Sequence, residues 1–199
     1  IAQSAGYNDP ASYISNAGTI DLKGNSSIGI YNKRGYTENI GIIDVSGNNG
    51  IGVYEVSGYN SNTGEIRIKD NGIGIYNTTY LDPADNPYNS SYSTIYNDGK
   101  IISNGGNKSI GIFANNNTSY GYLNLSLDVN SDVDVSSSNG GIGVYSINSD
   151  INGWAGSGKI SVGENGVGFY AKDSTINLNA LELNLMGDNA VGFYLDGTS

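Results

Sequence analysis

Apolar and polar residues alternate along this chain in short runs, and the runs recur. In Thr19-Ile20-Asp21-Leu22-Lys23 every second residue is apolar, the period of a strand with one buried face. A polar turn follows, then an aliphatic-Gly-aliphatic-aromatic tetrad, Ile28-Gly29-Ile30-Tyr31. Seven segments repeat this template: Gly18 to Tyr31, Gly41 to Tyr54, Gly64 to Tyr76, Gly99 to Phe113, Asp132 to Tyr145, Gly158 to Tyr170 and Leu181 to Tyr194. The tetrad glycines at 29, 52, 74, 111, 143, 168 and 192 are separated by 23, 22, 37, 32, 25 and 24 residues. A period of this length is the signature of a solenoid, whose coils each hold two or three short strands and stack about 4.8 Å apart.

The predicted fold is all-β: a right-handed parallel β-helix (β-solenoid) of about seven coils of 22–25 residues, with loop insertions. Residues 1–199 read as a single solenoid segment, interrupted at 77–98, 114–131 and 146–157. Neither end shows a cap over its open edge, so the expectation is an excerpt of a longer solenoid.

The alternation predicts which side chains face in. Ile20 and Leu22, Ile42 with a branched neighbour and Val45 nearby, Ile66 and Ile68, Ile160 and Val162, and Leu181, Leu183 and Leu185 fall on the inner face. In the tetrad, Ile28 and Ile30 are expected inside, Gly29 outside or at a bulge with positive φ, and Tyr31 at or just past the strand end. Stacking then makes a ladder of Tyr31, Tyr54, Tyr76, Phe113, Tyr145, Tyr170 and Tyr194. The turns between strand and tetrad are Asn- and Gly-rich, as tight corners require, and stacked asparagines are expected there.

Composition narrows the chemistry. The 199 residues include Gly 30, Tyr 16 and Pro 3, with neither Cys nor His, and the net charge is -10. Without Cys there are no disulfides or thiolate sites. Without His or Cys, neither Ser-His-Asp nor Cys-His catalysis can be assembled, and zinc sites lose their usual ligands. Nine Lys and Arg in an acidic chain leave no footprint for nucleic acid. No run of about 18 apolar residues exists, so no helix of this segment is expected to enter a membrane.

Repeats of this kind, GTIDLKGNSSIGIY or GIIDVSGNNGIGVY without any Cys, resemble the passengers of large fusobacterial-type autotransporter adhesins of type V secretion, over roughly residues 16–196. The resemblance implies an extracellular β-helix at the bacterial cell surface, anchored in the outer membrane through a C-terminal barrel outside this chain. It also implies partners such as host cell-surface proteins, host glycans or other bacteria. It supplies no binding motif that maps onto individual positions, and no cofactor.

Insertions in solenoids emerge on one face, often the binding face. The longest one, Asn77 to Tyr96, carries Tyr80, Asp82, Asp85, Tyr88, Tyr92 and Tyr96. Tyrosines give rigid, amphipathic contact area, and the carboxylates add acceptors for a sugar or protein partner. The alternative is a loop folded over the solenoid and fixed by its own rings. Trp154, the sole Trp, sits among glycines as a candidate carbohydrate platform or as cover for a core edge. The stretch Leu123 to Val129 alternates and reads as another strand. Asp128, Asn130, Asp132 and Asp134 place oxygens on one face, but a Ca²⁺ site needs about six to eight such ligands, so a solvated face is the reading and no metal is assigned. Three functions remain: a displayed binding segment, favoured; a structural stalk; and a polysaccharide lyase or hydrolase, disfavoured, so the chain is read as no enzyme.

Overall fold

A computed structural model describes residues 2–4, 12–80, 92–118, 122–153 and 158–197. Short extended segments bounded by Gly, Asn and Ser corners become strands, as their alternation requires. The early coils contain β1 (Ala2–Ser4), β2 (Ser12–Asn16), β3 (Thr19–Leu22), β4 (Ile28–Lys33), β5 (Gly35–Asn39), β6 (Ile42–Val45), β7 (Ile51–Val56) and β8 (Tyr59–Asn62). The middle contains β9 (Glu65–Ile68), β10 (Ile73–Thr78), β11 (Tyr92–Asn97), β12 (Lys100–Ser103), β13 (Ile110–Asn115), β14 (Tyr122–Leu127) and β15 (Asp132–Val135). The last coils contain β16 (Ile142–Ile147), β17 (Asp150–Asn152), β18 (Lys159–Val162), β19 (Val167–Lys172), β20 (Thr175–Asn177), β21 (Glu182–Leu185) and β22 (Val191–Asp196).

Every third strand pairs with the next of its kind, always in parallel. The tetrad sheet runs β1-β4-β7-β10-β13-β16-β19-β22, the second sheet β2-β5-β8-β11-β14-β17-β20, and the third β3-β6-β9-β12-β15-β18-β21. The fold is thus all-β, three parallel sheets stacked coil upon coil in the manner of a β-solenoid. Of the three interruptions in the repeat, residues 92–97, 122–127 and 150–152 are ordinary second-sheet strands. The alternating run from Leu123 is one of these, with Leu123, Leu125 and Leu127 buried.

The core is a set of aliphatic ladders. Ile30, Val53, Ile75, Ile112, Val144 and Phe169 descend the tetrad sheet, and Ile43, Ile66, Ile101, Val133 and Ile160 descend the third, all fully buried. Each such side chain contributes roughly 1.5–3 kcal/mol when removed from water. Ile66, Ile68, Ile160 and Val162 face in as expected, and Ile20, Leu22, Leu181 and Leu183 pack partly against the core. Leu185 is exposed instead, on β21, the outermost third-sheet strand among the described residues.

Three details depart from the sequence reading. In the third sheet Ile43, rather than Ile42, faces in, because Ile43 pairs with Ile20 and Ile66. In the tetrad the glycine points inward and the first aliphatic residue outward, leaving Ile28 40% exposed. The tetrad glycines do not adopt positive φ. A Cβ on Gly52 would lie 2.6 Å from the Gly74 carbonyl oxygen and 2.6 Å from Ile66 Cγ2, so glycine is demanded by the approach of the next coil and of the third sheet. Finally, Tyr31 lies within β4, which runs on to Lys33, and so sits mid-strand on the outer surface.

The tetrad aromatics do stack as a continuous ladder from Tyr31 to Tyr194, with ring centroids 4.6–5.3 Å apart. At the corners between third and tetrad sheets, Asn49, Asn71, Asn165 and Asn189 hold positive φ, and Asn189, Asn165 and Asn139 link side chain to side chain. The better-buried asparagine ladder is at a different corner, between the second and third sheets. There Asn16, Asn39 and Asn62 each donate Nδ2 to the next Oδ1 at 2.8 Å, ending on Asn97, which donates to Ser131 at 2.6 Å.

Candidate binding face

Where the tetrad sheet hands over to the second sheet, the usual corner is one or two residues long. Arg34, Ser57, Asn148 and Asp173 make it with φ of 48–58°. After β10 and again after β13 the chain takes a longer connection in place of this tight corner, and the two connections start at the same corner of adjacent coils, at Thr79 and Asn116. Their bases are tied together: Thr79 Oγ1 donates to Asn116 Oδ1 at 2.7 Å and accepts from the Asn117 amide at 2.9 Å. Tyr80 is fixed to the coil above by its amide, which donates to Ser57 Oγ at 2.6 Å, and its ring carries Lys33 Nζ at 4.4 Å from the centroid.

Tyr92 opens β11 with 67% exposure, and its ring lies 6.5 Å from that of Tyr122, which opens β14 in the next coil. Tyr96, four residues along β11, donates its hydroxyl to Asp128 Oδ2. That bond drives the Tyr96 hydroxyl well above the usual phenol range and holds the Asp128 carboxyl below its usual value, helped by the Val129 amide. Tyr80, Tyr92 and Tyr96 therefore border one face, although Tyr96 is spoken for by Asp128. Asp82, Asp85, Tyr88 and Trp154 lie outside the described residues.

The face they border is the outer surface of the second sheet, and sequence reasoning overlooked it. Tyr13, Tyr36 and Tyr59 stack there with centroids 5.3 and 4.8 Å apart and planes within 23° of parallel. Their spacing of 23 residues was the available signal; it is the repeat period in a second position. Tyr13 donates to Glu38 Oε2 at 2.5 Å, and Ser15 donates to the same oxygen at 3.1 Å. The Glu38 bond is the main reason the Tyr13 hydroxyl is less acidic than usual. Further along, Asn152 Nδ2 donates to Asn124 Oδ1 at 2.7 Å, and burial followed by the charge of Asp150 raises the Tyr122 hydroxyl. No strand of the second sheet contains Lys or Arg. The arrangement presents phenols, amides and carboxylates held in place by one another, suited to contacting hydroxyl-rich or backbone-rich partners.

The third sheet has a different outer surface. One row reads Glu65, Lys100, Asp132, Lys159, Glu182, with opposite charges on neighbouring strands. Lys159 Nζ lies 3.3 Å from Asp132, and Arg67 bridges Asp44 and Glu65. Asp132 and Asp134 thus serve an ion pair and the Ser136 amide respectively, while Asp128 accepts from Tyr96. Among the described residues no group of three or more Asp or Glu is placed to hold a metal ion. Comparison with protein-family models, curated proteins and solved structures gives no match for this chain.

Proposed function

We propose that this chain is a binding and display segment of an extracellular adhesin of the autotransporter type, wound as a right-handed β-helix and held at a bacterial surface by parts outside this chain. Its partner is a host cell-surface protein or glycan, or another bacterium. The observation that carries this reading is that the two long connections start from one corner of neighbouring coils, at Thr79 and Asn116, directly beside the tyrosine-rich outer face of the second sheet. A stacked rod supplies rigidity, and the deviations from its repeat supply recognition. The stalk reading has its own support in the tetrad ladder, whose rings contact one another, edge to face or face to face, down the whole sheet.

Binding of the purified chain to glycan arrays and host cells tests the proposal, beside one variant with 81–91 replaced by Asn-Gly and another with Tyr92 and Tyr122 changed to alanine. Loss of binding in either variant, with circular dichroism unchanged, supports recognition at this face. Equal binding by all three moves recognition elsewhere on the rod. No binding by any of them favours the stalk.

A further inference from the structure

Inside the stack, between the tetrad and second sheets of the early coils, the packing is polar rather than aliphatic. Asn32, Glu55 and Asn77 occupy one ladder position of the tetrad sheet, and Thr37 and Asn60 neighbour each other on the second, all with 0% exposure. In later coils the same tetrad-sheet position holds Ala114, Ser146 and Ala171. Glu55 is thus the one ionisable member of a fully buried row.

Its complete burial suits an uncharged acid, while the donors around it favour the charged form. Thr37 Oγ1 donates to Glu55 Oε2 at 2.7 Å, and the Asn32 side chain and Gly35 amide also bond to the carboxyl. Oε1 has no hydrogen-bond partner, and neither does Asn60 Nδ2 or Oδ1. Gly58 leaves the room that Oε1 fills; a Cβ there would collide with it. The charged and titratable residues of the packed strands lie at outer positions: Tyr31 and Lys33 on β4, Tyr36 and Glu38 on β5, Tyr54 on β7, Tyr59 on β8 and Tyr76 on β10. Arg34 turns the corner between β4 and β5. Burial dominates the acidity of Glu55, opposed by hydrogen bonds from Thr37, Asn32 and Gly35, with no cation among the influences.

We propose that Glu55 forms an internal proton-binding site, in which the carboxyl is held as the neutral acid and its ionisation loosens the coils built on β4, β7 and β10. Those coils lead into the connection that starts at Thr79, so the proton couples solution pH to the coil from which that connection starts. This holds whether or not the chain is an adhesin.

The direction of the pH effect follows from the carboxyl being pushed up from 4.5 to about 8. Below 4.5 the folded and unfolded chains both carry the proton and the stabilisation is complete. Between 4.5 and about 8 only the folded chain keeps it, so stability falls as pH rises; above about 8 the loss is complete. Carbon-detected titration of the glutamate carboxyls and melting curves from pH 5 to 9, on wild type and Glu55→Gln, test the proposal. The expected result is one carboxyl titrating near 8 that Glu55→Gln removes. The wild-type melting midpoint should fall by about 5–10 °C between pH 6 and 9, and the variant should show no such fall. Titration of every glutamate below pH ~5.5 would overturn it, as would an equal pH-dependent fall in the variant. Should Glu55→Gln not fold, the wild-type carboxyl titration decides alone.

Discussion

Asn62 stands in the middle of a file of buried amides, accepting from Asn39 and donating to Asn97, both at 2.8 Å. A buried amide that serves both neighbours is worth more than its own bonds, because its removal leaves two more groups unsatisfied. Asn62→Ala should therefore cost about 2–4 kcal/mol in denaturant unfolding, well beyond a surface substitution. Gly52 faces a different constraint, of space rather than hydrogen bonding. Gly52→Ala would drive a methyl into the Gly74 carbonyl and Ile66, at a cost of about 1–3 kcal/mol or more. Gly18→Ala is the matched control, since nothing lies within 4 Å of its added Cβ, and should change stability by no more than about 0.5 kcal/mol. Equal losses at the two glycines would mean that coil spacing does not depend on the tetrad glycine.

At the scale of the strand, each sheet solves the same problem with different chemistry. Parallel in-register stacking puts like residues over like, which favours rings and amides but would pile up charge. The tetrad sheet stacks aromatics, and the second sheet stacks tyrosines outside and asparagines at its end. The third alternates sign down the row from Glu65 to Glu182. Lys159→Glu would place three acids in succession, on β15, β18 and β21. The expected loss is about 1 kcal/mol at low salt, shrinking as salt screens the surface, and a salt-independent loss would contradict the charge account.

For the whole molecule, each coil is stabilised chiefly by its neighbours, since a single coil cannot bury its inner face. The final strands show what an uncovered coil looks like: Phe193 and Leu195 sit at 48% and 69% exposure, whereas Phe169 one coil earlier is fully buried. Hydrogen exchange should consequently be slowest in β7, β10, β13 and β16 and faster in β22. Uniform protection along the stack would instead indicate all-or-none unfolding. The Glu55 row adds a pH-dependent weak point within this gradient, toward the early coils.

The periodic apolar pattern alone determined that the chain is all-β, that it stacks, and that its aromatics form a ladder, because a repeat that places one aliphatic face per coil has one economical way to bury it. The alternation also located β14 inside an apparent insertion, from Leu123, Leu125 and Leu127. What the pattern left open were facings set by neighbours far along the chain. Ile43 rather than Ile42 turns inward because the register with Ile20 and Ile66 requires it, and two adjacent branched residues carry no signal to choose between them. The tetrad glycine faces in because the carbonyl of the next coil and a third-sheet methyl leave no room for a Cβ, a contact between residues about a coil apart. The second tyrosine stack and the Asn16-to-Asn97 ladder were written in the sequence at the repeat spacing, but only the three-sheet cross-section decided that one lies outside and the other within. Burial of Glu55 came from the same cross-section: in sequence it is one acid following a tyrosine, and in the stack it is a fully buried acid whose acidity no cation influences.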